Sequence, residues 1–127
     1  MTHSKIEMLS PELQVSDLDR SIDFYKRAFG FDVSWSVGEP PNLACLCRDN
    51  AEFTLRVFAA PVPMHVYFTV AGVDASYATA LAQGARELVP LEDRWYGMRD
   101  GRVADPDGNQ IGIGQSLSGP DAESPPE

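Results

Sequence analysis

The sequence predicts an α+β fold built from two similar βαβββ modules. Two observations lead there. Segments of alternating apolar and polar residues flank two stretches of helical periodicity, in the same order in each half of the chain. The segment from Val15 to Ser21 also aligns with that from Val70 to Ser76 at an offset of 55 residues. A single module of this kind cannot bury a sheet face alone, so the two must pack together.

The first half opens with a short alternating strand at 11–15. In SDLDRSIDFYKRAFGF, Ser16 or Asp17 can cap a helix whose first turn is acidic. Leu18, Ile22, Tyr25 and Phe29 make one apolar stripe at helical spacing, and Gly30 is placed as the C-cap. DVSWSV (32–37) alternates again, and GEPPN breaks it. LACLCRD and EFTLRVF read as a hairpin around Asp49-Asn50, and Pro61-Val62-Pro63 ends the module. The second half repeats the order. HVYFTV (65–70) is a strand, VDASYATALAQGA a helix ending near Gly84, and ELVPLE (87–92) an extended segment. DRWYGM is a loop, and RDGRVADPDGNQIGIGQ is a hairpin turning at Asp105 to Asn109. One domain is expected over 1–116, with module one at about 8–60 and module two at about 64–115. Residues 117–127 are polar, acidic and contain prolines, and read as a flexible tail.

Composition excludes several classes. The 127 residues are 43% apolar and 23% charged, as in an ordinary soluble domain. No apolar run is long enough to span a bilayer and the N-terminus lacks a secretory pattern, so a cytoplasmic location and no membrane partner are expected. The net charge of −9 argues against nucleic acid, whose phosphates need clustered Lys and Arg, and is compatible with a cationic ligand. Cys45 and Cys47, at i and i+2 of one strand, point to the same face. A disulfide there would be strained and no further zinc ligands follow at matching spacing, so both read as free thiols.

VSDLDRSIDFYKRAFGFDV and RVADPDGNQIGIGQ together resemble the first module and the last hairpin of the vicinal oxygen chelate superfamily, which includes glyoxalase I, extradiol dioxygenases and bleomycin-resistance proteins. The resemblance covers about residues 8–115. It implies paired βαβββ modules, cupped mixed sheets with helices on the outer face, a ligand or metal in the cup, and a homodimer. The loop from Asp93 to Asn109 most resembles the bleomycin-resistance branch.

Metal-using members of that superfamily draw four ligands from cup-facing strand positions, which here fall on Ser10, Arg56, His65 and Gly112. The internal repeat supports the placement: Ser10 and His65 lie 55 apart, and Arg56 and Gly112 lie 56 apart. Only His65 of the four could bind a metal. One imidazole does not hold a divalent cation, and the guanidinium of Arg56 cannot coordinate one. No metal and no cofactor are therefore expected. Arg56 has Glu12 as a salt-bridge partner across the cup.

Alternation places Ser10, Glu12, Trp35, Arg56, Phe58, His65 and Tyr67 toward the cup. The loop brings Trp95 and Met98 to it, while Gly112 and Gly114 remove volume and leave room for a ligand. Aromatic walls with a few polar groups suit a small planar organic molecule. No nucleophile with an oriented base stands out, and no catalytic residue is assigned. The reading is a metal-independent small-molecule binding protein that sequesters an aromatic or cationic antibiotic. The alternative is a divergent enzyme of the same superfamily, a lyase, isomerase or dioxygenase, with a non-standard metal or acid–base site.

Overall fold

A computed structural model describes residues 2–118. The order is β1 (Glu12–Val15), α1 (Leu18–Phe29), β2 (Asp32–Gly38), β3 (Pro41–Arg48), β4 (Ala51–Val57), β5 (His65–Thr69), α2 (Val73–Ala82), β6 (Arg86–Asp93), β7 (Met98–Ala104) and β8 (Gln110–Ser116). This is βαβββ twice. Each module forms a four-stranded mixed sheet, in the order β1-β4-β3-β2 and β5-β8-β7-β6. β1 runs parallel to β4, and β5 parallel to β8. The acidic tail expected from 117 lies, from residue 119 onward, outside the described residues.

Helix α1 starts where Asp17 accepts the backbone N–H of Arg20 at 3.0 Å, which satisfies one of the orphan donors of the first turn. It stops at Gly30, which takes the left-handed conformation (φ 73°) and returns its N–H to Lys26. Its apolar stripe covers β3 and β4, where Ala44, Leu46, Phe53 and Leu55 are buried. Leu13 and Val15 of β1 bury on this side, while Glu12 and Gln14 face the other way. One face of each sheet is thus covered by its helix and the other is left open.

Across the short Pro-Val-Pro link the two modules fold together, through their helix-bearing sides. α1 packs on α2, and Phe68 of β5 packs among the rings of module one, 5.7 Å from Phe29 and 5.5 Å from Phe31 between centroids. The result is one continuous apolar core. The reason is burial: Val66 and Phe68 alternate away from the open face and have no other apolar surface to meet.

The DPDGN turn clamps the modules. Asp105 accepts the backbone N–H groups of Asp107 and Asn109 through one oxygen, each at 2.9 Å. Its other oxygen accepts the Tyr25 hydroxyl at 2.7 Å and the Asn109 amide at 3.0 Å. The Asn109 amide also donates to the Gln14 carbonyl in β1 at 2.9 Å, and Asp107 takes hydrogen bonds from Ser16 and Arg20 at the start of α1. Asp105 and Asn109 are buried, so the turn that marks the sequence motif is a buried polar joint between modules. Burial and the neighbouring Asp105 carboxylate raise the Tyr25 phenol well above its usual pKa, which keeps it a donor.

Candidate functional site

The open face of the second sheet carries the densest polar arrangement that is not absorbed by the core. Register fixes which residues share it. Tyr67 lies opposite Gly112, Gly112 opposite Arg102, and Arg102 opposite Val89. In the next row Asp100 lies opposite Gly114 and Glu92. The β6–β7 turn adds Arg94 and Tyr96, held by the Arg94 N–H to the Met98 carbonyl at 2.7 Å.

Asp100 is the hub. It is buried, at 7% exposure. One oxygen accepts Arg94 Nε at 2.9 Å, and the other accepts the hydroxyls of Tyr67 at 2.9 Å and Tyr96 at 2.7 Å. Burial alone would raise the Asp100 carboxyl, but hydrogen bonds from Arg94, Tyr96 and Tyr67 outweigh it and hold the group below its usual value. The reciprocal effect keeps both phenols protonated. Burial first, then Asp100, raises Tyr67. The hydrogen bond to Asp100 first, then burial, raises Tyr96. Arg94 is locked further, with the Pro90 carbonyl at 2.7 Å, the Asp100 carbonyl at 2.9 Å and Glu92 at 2.9 Å.

Around this hub is a cavity of about 320 Å³, lined by Tyr67, Val89, Arg94, Tyr96, Asp100 and Arg102 over a glycine floor. It lies at the small end of the usual size range of ligand sites, about 300–1,000 Å³.

The glycines of β8 have a different role from the one expected. The space above them is taken first by the Tyr67 ring, which lies across both, although Gly112 still lines the cavity. A Cβ on Gly112 would come 2.5 Å from Tyr67 Cδ2, and one on Gly114 would fall inside contact distance of the Tyr67 hydroxyl. The bare face is a bed for a cross-strand tyrosine, which reaches Asp100 by lying flat on it.

The remaining expected residues are spread over two surfaces. Glu12 and Arg56 share the open face of the first sheet and form the anticipated ion pair at 3.0 Å. Trp35 is on that face too, since it lies opposite Cys45 and Cys45 opposite Thr54. Phe58 follows β4 and is half-exposed. Ser10 precedes β1 and is exposed, so it does not belong to the strand that was to aim it. His65 opens β5 on the same face as Tyr67, where burial and then the charge of Arg102 lower its pKa. Met98 faces the open side opposite Ser116. Trp95 is 75% exposed, packs edge-on against Tyr96 at 5.5 Å, and does not line the cavity. Asp100, Arg94 and Arg102 were missed by sequence reasoning. Alternation from Met98 would have put Asp100 and Arg102 on the open face, but nothing in the pattern shows that one carboxylate gathers two tyrosines and an arginine.

The repeat relates the strands differently from the offset read in the sequence. Glu12 pairs with Thr54 where Tyr67 pairs with Gly112, so Gly112 is the counterpart of Thr54 and not of Arg56. The first strands and helices keep the offset of 55, as Leu18 and Val73 both begin helices. The last hairpin is longer in module two, which shifts its register.

The donors at the family's metal positions do not make a metal site. Ser10, Arg56, His65 and Gly112 offer one imidazole, and Arg56 brings a cation to its own sheet face. Among the described residues no three His, Cys, Asp or Glu side chains are placed to hold a metal ion.

The paired βαβββ modules, with helices on one side and open sheet faces on the other, define a class of fold. The family model for the Glyoxalase/Bleomycin resistance protein/Dioxygenase superfamily matches residues 6–113, and the chain belongs to that superfamily. An uncharacterized protein of Mycobacterium bovis is 32% identical over 132 residues, covering 86% of this chain and 83% of its own length. Among solved structures, TioX from a Micromonospora species has a TM-score of 0.77 at 26% identity, covering 86% of this chain and 98% of that one. The bleomycin resistance determinant encoded on the transposon Tn5 has a TM-score of 0.74 at 18% identity over 87% of this chain and 98% of that one, a likeness of fold alone.

Proposed function

We propose that the chain is a metal-independent binding protein for a small, partly aromatic molecule, held on the open face of the second sheet. The observation that carries this reading is the cavity between Tyr67, Tyr96 and Val89, in which Asp100, Arg94 and the two phenols bind one another and so fix the walls. A preformed rigid wall of aromatic rings binds a planar ligand at low entropic cost. No nucleophile-and-base pair lies among its lining residues: Asp100 accepts from Arg94, Tyr67 and Tyr96, and both phenols are held as donors. Sequestration of an aromatic antibiotic is the use proposed for such binding, by analogy of fold with the Tn5 determinant. Function as a homodimer is part of the proposal. Trp35 and Val37 on the first sheet, and Tyr67 and Val89 on the second, are exposed on open faces, apolar surface of the kind that an interface between copies covers.

The test is titration with a panel of aromatic antibiotics and metabolites, followed by thermal shift and tryptophan fluorescence, in the wild type and in Tyr96→Ala. Saturable stabilisation that is lost in Tyr96→Ala is expected. Turnover of any panel compound, or stoichiometric metal in the purified protein that is lost in His65→Ala, would overturn the proposal. Among the described residues no helix is long and apolar enough to cross a membrane, and a cytoplasmic site of action is the expectation that goes with this reading.

A further inference from the structure

The charge of the whole chain points toward a cationic ligand; the charges in the cavity point the other way. The arginines of the described residues divide into two groups. Arg20 pairs with Asp107, Arg27 with Asp23, Arg48 with Asp49, Arg56 with Glu12, Arg94 with Asp100 and Glu92, and Arg99 with Asp74 and Asp93. Among the described residues Arg86 and Arg102 form no ion pair. Both lie on the open face of the second sheet, Arg102 opposite Gly112 and Arg86 opposite Ala104. Arg102 is half-buried and lines the cavity, and its one hydrogen bond is a long one to Gln110 at 3.3 Å. A guanidinium has five N–H donors, so most of its capacity is unused.

The rest of the cavity is electrically closed. Arg94 and Asp100 neutralise each other, and both oxygens of Asp100 are taken by Arg94, Tyr67 and Tyr96. Asp100 already accepts three hydrogen bonds and keeps little capacity for a cation, while among the lining residues Arg102 is the strong donor with capacity to spare. A planar guanidinium beside aromatic walls matches a carboxylate attached to a ring, which it can bind with two parallel hydrogen bonds.

We infer that the ligand of this site is an aromatic carboxylate, with Arg102 as its anchor and the rings of Tyr67 and Tyr96 as its walls. The inference rests on the binding role proposed above and adds the ligand's charge and the residue that reads it. Three probes of one shape separate the two claims: 2-naphthoate, the neutral 2-naphthamide and the cationic 2-naphthylmethylammonium. Each is titrated by calorimetry, with the Arg102 Nε–H signal followed by NMR to detect weak binding.

Naphthoate is expected to bind about tenfold to a hundredfold more tightly than naphthamide, the range given by charge-assisted hydrogen bonds. The ammonium compound is expected to bind weakest. Raising the salt concentration weakens naphthoate and leaves the neutral naphthamide unchanged. Arg102→Gln removes the preference, with naphthoate losing far more affinity than naphthamide, while Arg102→Lys keeps part of the preference. Equal binding of naphthoate and naphthamide, or a preference that survives in Arg102→Gln, overturns the anion assignment and leaves the binding role standing. If none of the probes moves the Arg102 signal or gives heat in the folded wild type, both claims fall.

Discussion

Adding one methyl group to β8 tests whether its glycines serve Tyr67. A Cβ on Gly112 would sit 2.5 Å from Tyr67 Cδ2, so the ring must shift. Overpacking of this kind costs about 1–3 kcal/mol. At Gly114 the added carbon reaches the hydroxyl and lies 2.8 Å from Cζ, so the ring must leave its bed and release Asp100. A hydrogen bond to a charged acceptor is worth about 1.5–3 kcal/mol, so Gly114→Ala is expected to cost more than Gly112→Ala. For a chain of this length each kcal/mol corresponds to a shift in Tm of roughly 3–5 °C. Urea and thermal unfolding of Gly112→Ala, Tyr67→Ala and the double variant form a cycle. With the ring gone, alanine at 112 is expected to be neutral or stabilising by about 0.5–1 kcal/mol, since it restricts the unfolded chain. If Gly112→Ala costs nothing in the wild type, or costs the same with and without Tyr67, the ring is not what the glycine accommodates.

Three other outcomes follow from the same geometry. Tyr25→Phe removes the buried donor to Asp105 and should cost about 1.5–3 kcal/mol by urea unfolding, with loss of the clamp between modules; a change within error would show the joint is held by the turn alone. Asp100 is held below its usual value, so its contribution to stability is complete above the unfolded-state pKa of about 4 and is lost as pH falls through the lower folded value. Urea midpoints measured from pH 6 to 2.5 should therefore fall more steeply in the wild type than in Asp100→Asn, and parallel curves would contradict this. The Cys45 thiol is pushed up to about 11, first by burial and then by Glu52, so iodoacetamide at pH 8 should leave it unmodified in the folded protein and label it in denaturant; prompt labelling of the folded protein would show that the strand opens.

The elements were legible because each carries a local signal. Asp17 and Gly30 bound the first helix by capping chemistry that needs no distant partner. Asp49, at φ 50°, makes the hairpin turn the sequence places there. Alternation assigned Glu12 and Arg56 to one face, and their ion pair follows from that. The candidate site was less legible. Trp95 has a composition suited to a pocket, but it stands at the tip of a turn in solvent. Ser10 lies two residues before Glu12, the first ladder residue of β1, where strand alternation no longer fixes a face.

Two βαβββ modules, the faces of their strands and the kinship of the fold can be read from sequence alone, because periodicity, caps and turn residues act within a few positions of one another. What those faces hold is settled by packing between strands far apart in the chain. Whether a glycine leaves a vacancy or a bed depends on the rotamer of a tyrosine on the neighbouring strand, and Tyr67 chose the second. Which arginine is left unpaired depends on which carboxylates the fold brings within reach, and Asp100 went to Arg94, leaving Arg102 facing the cavity without a countercharge. These are long-range outcomes of side-chain competition, and they decide the chemistry of the site.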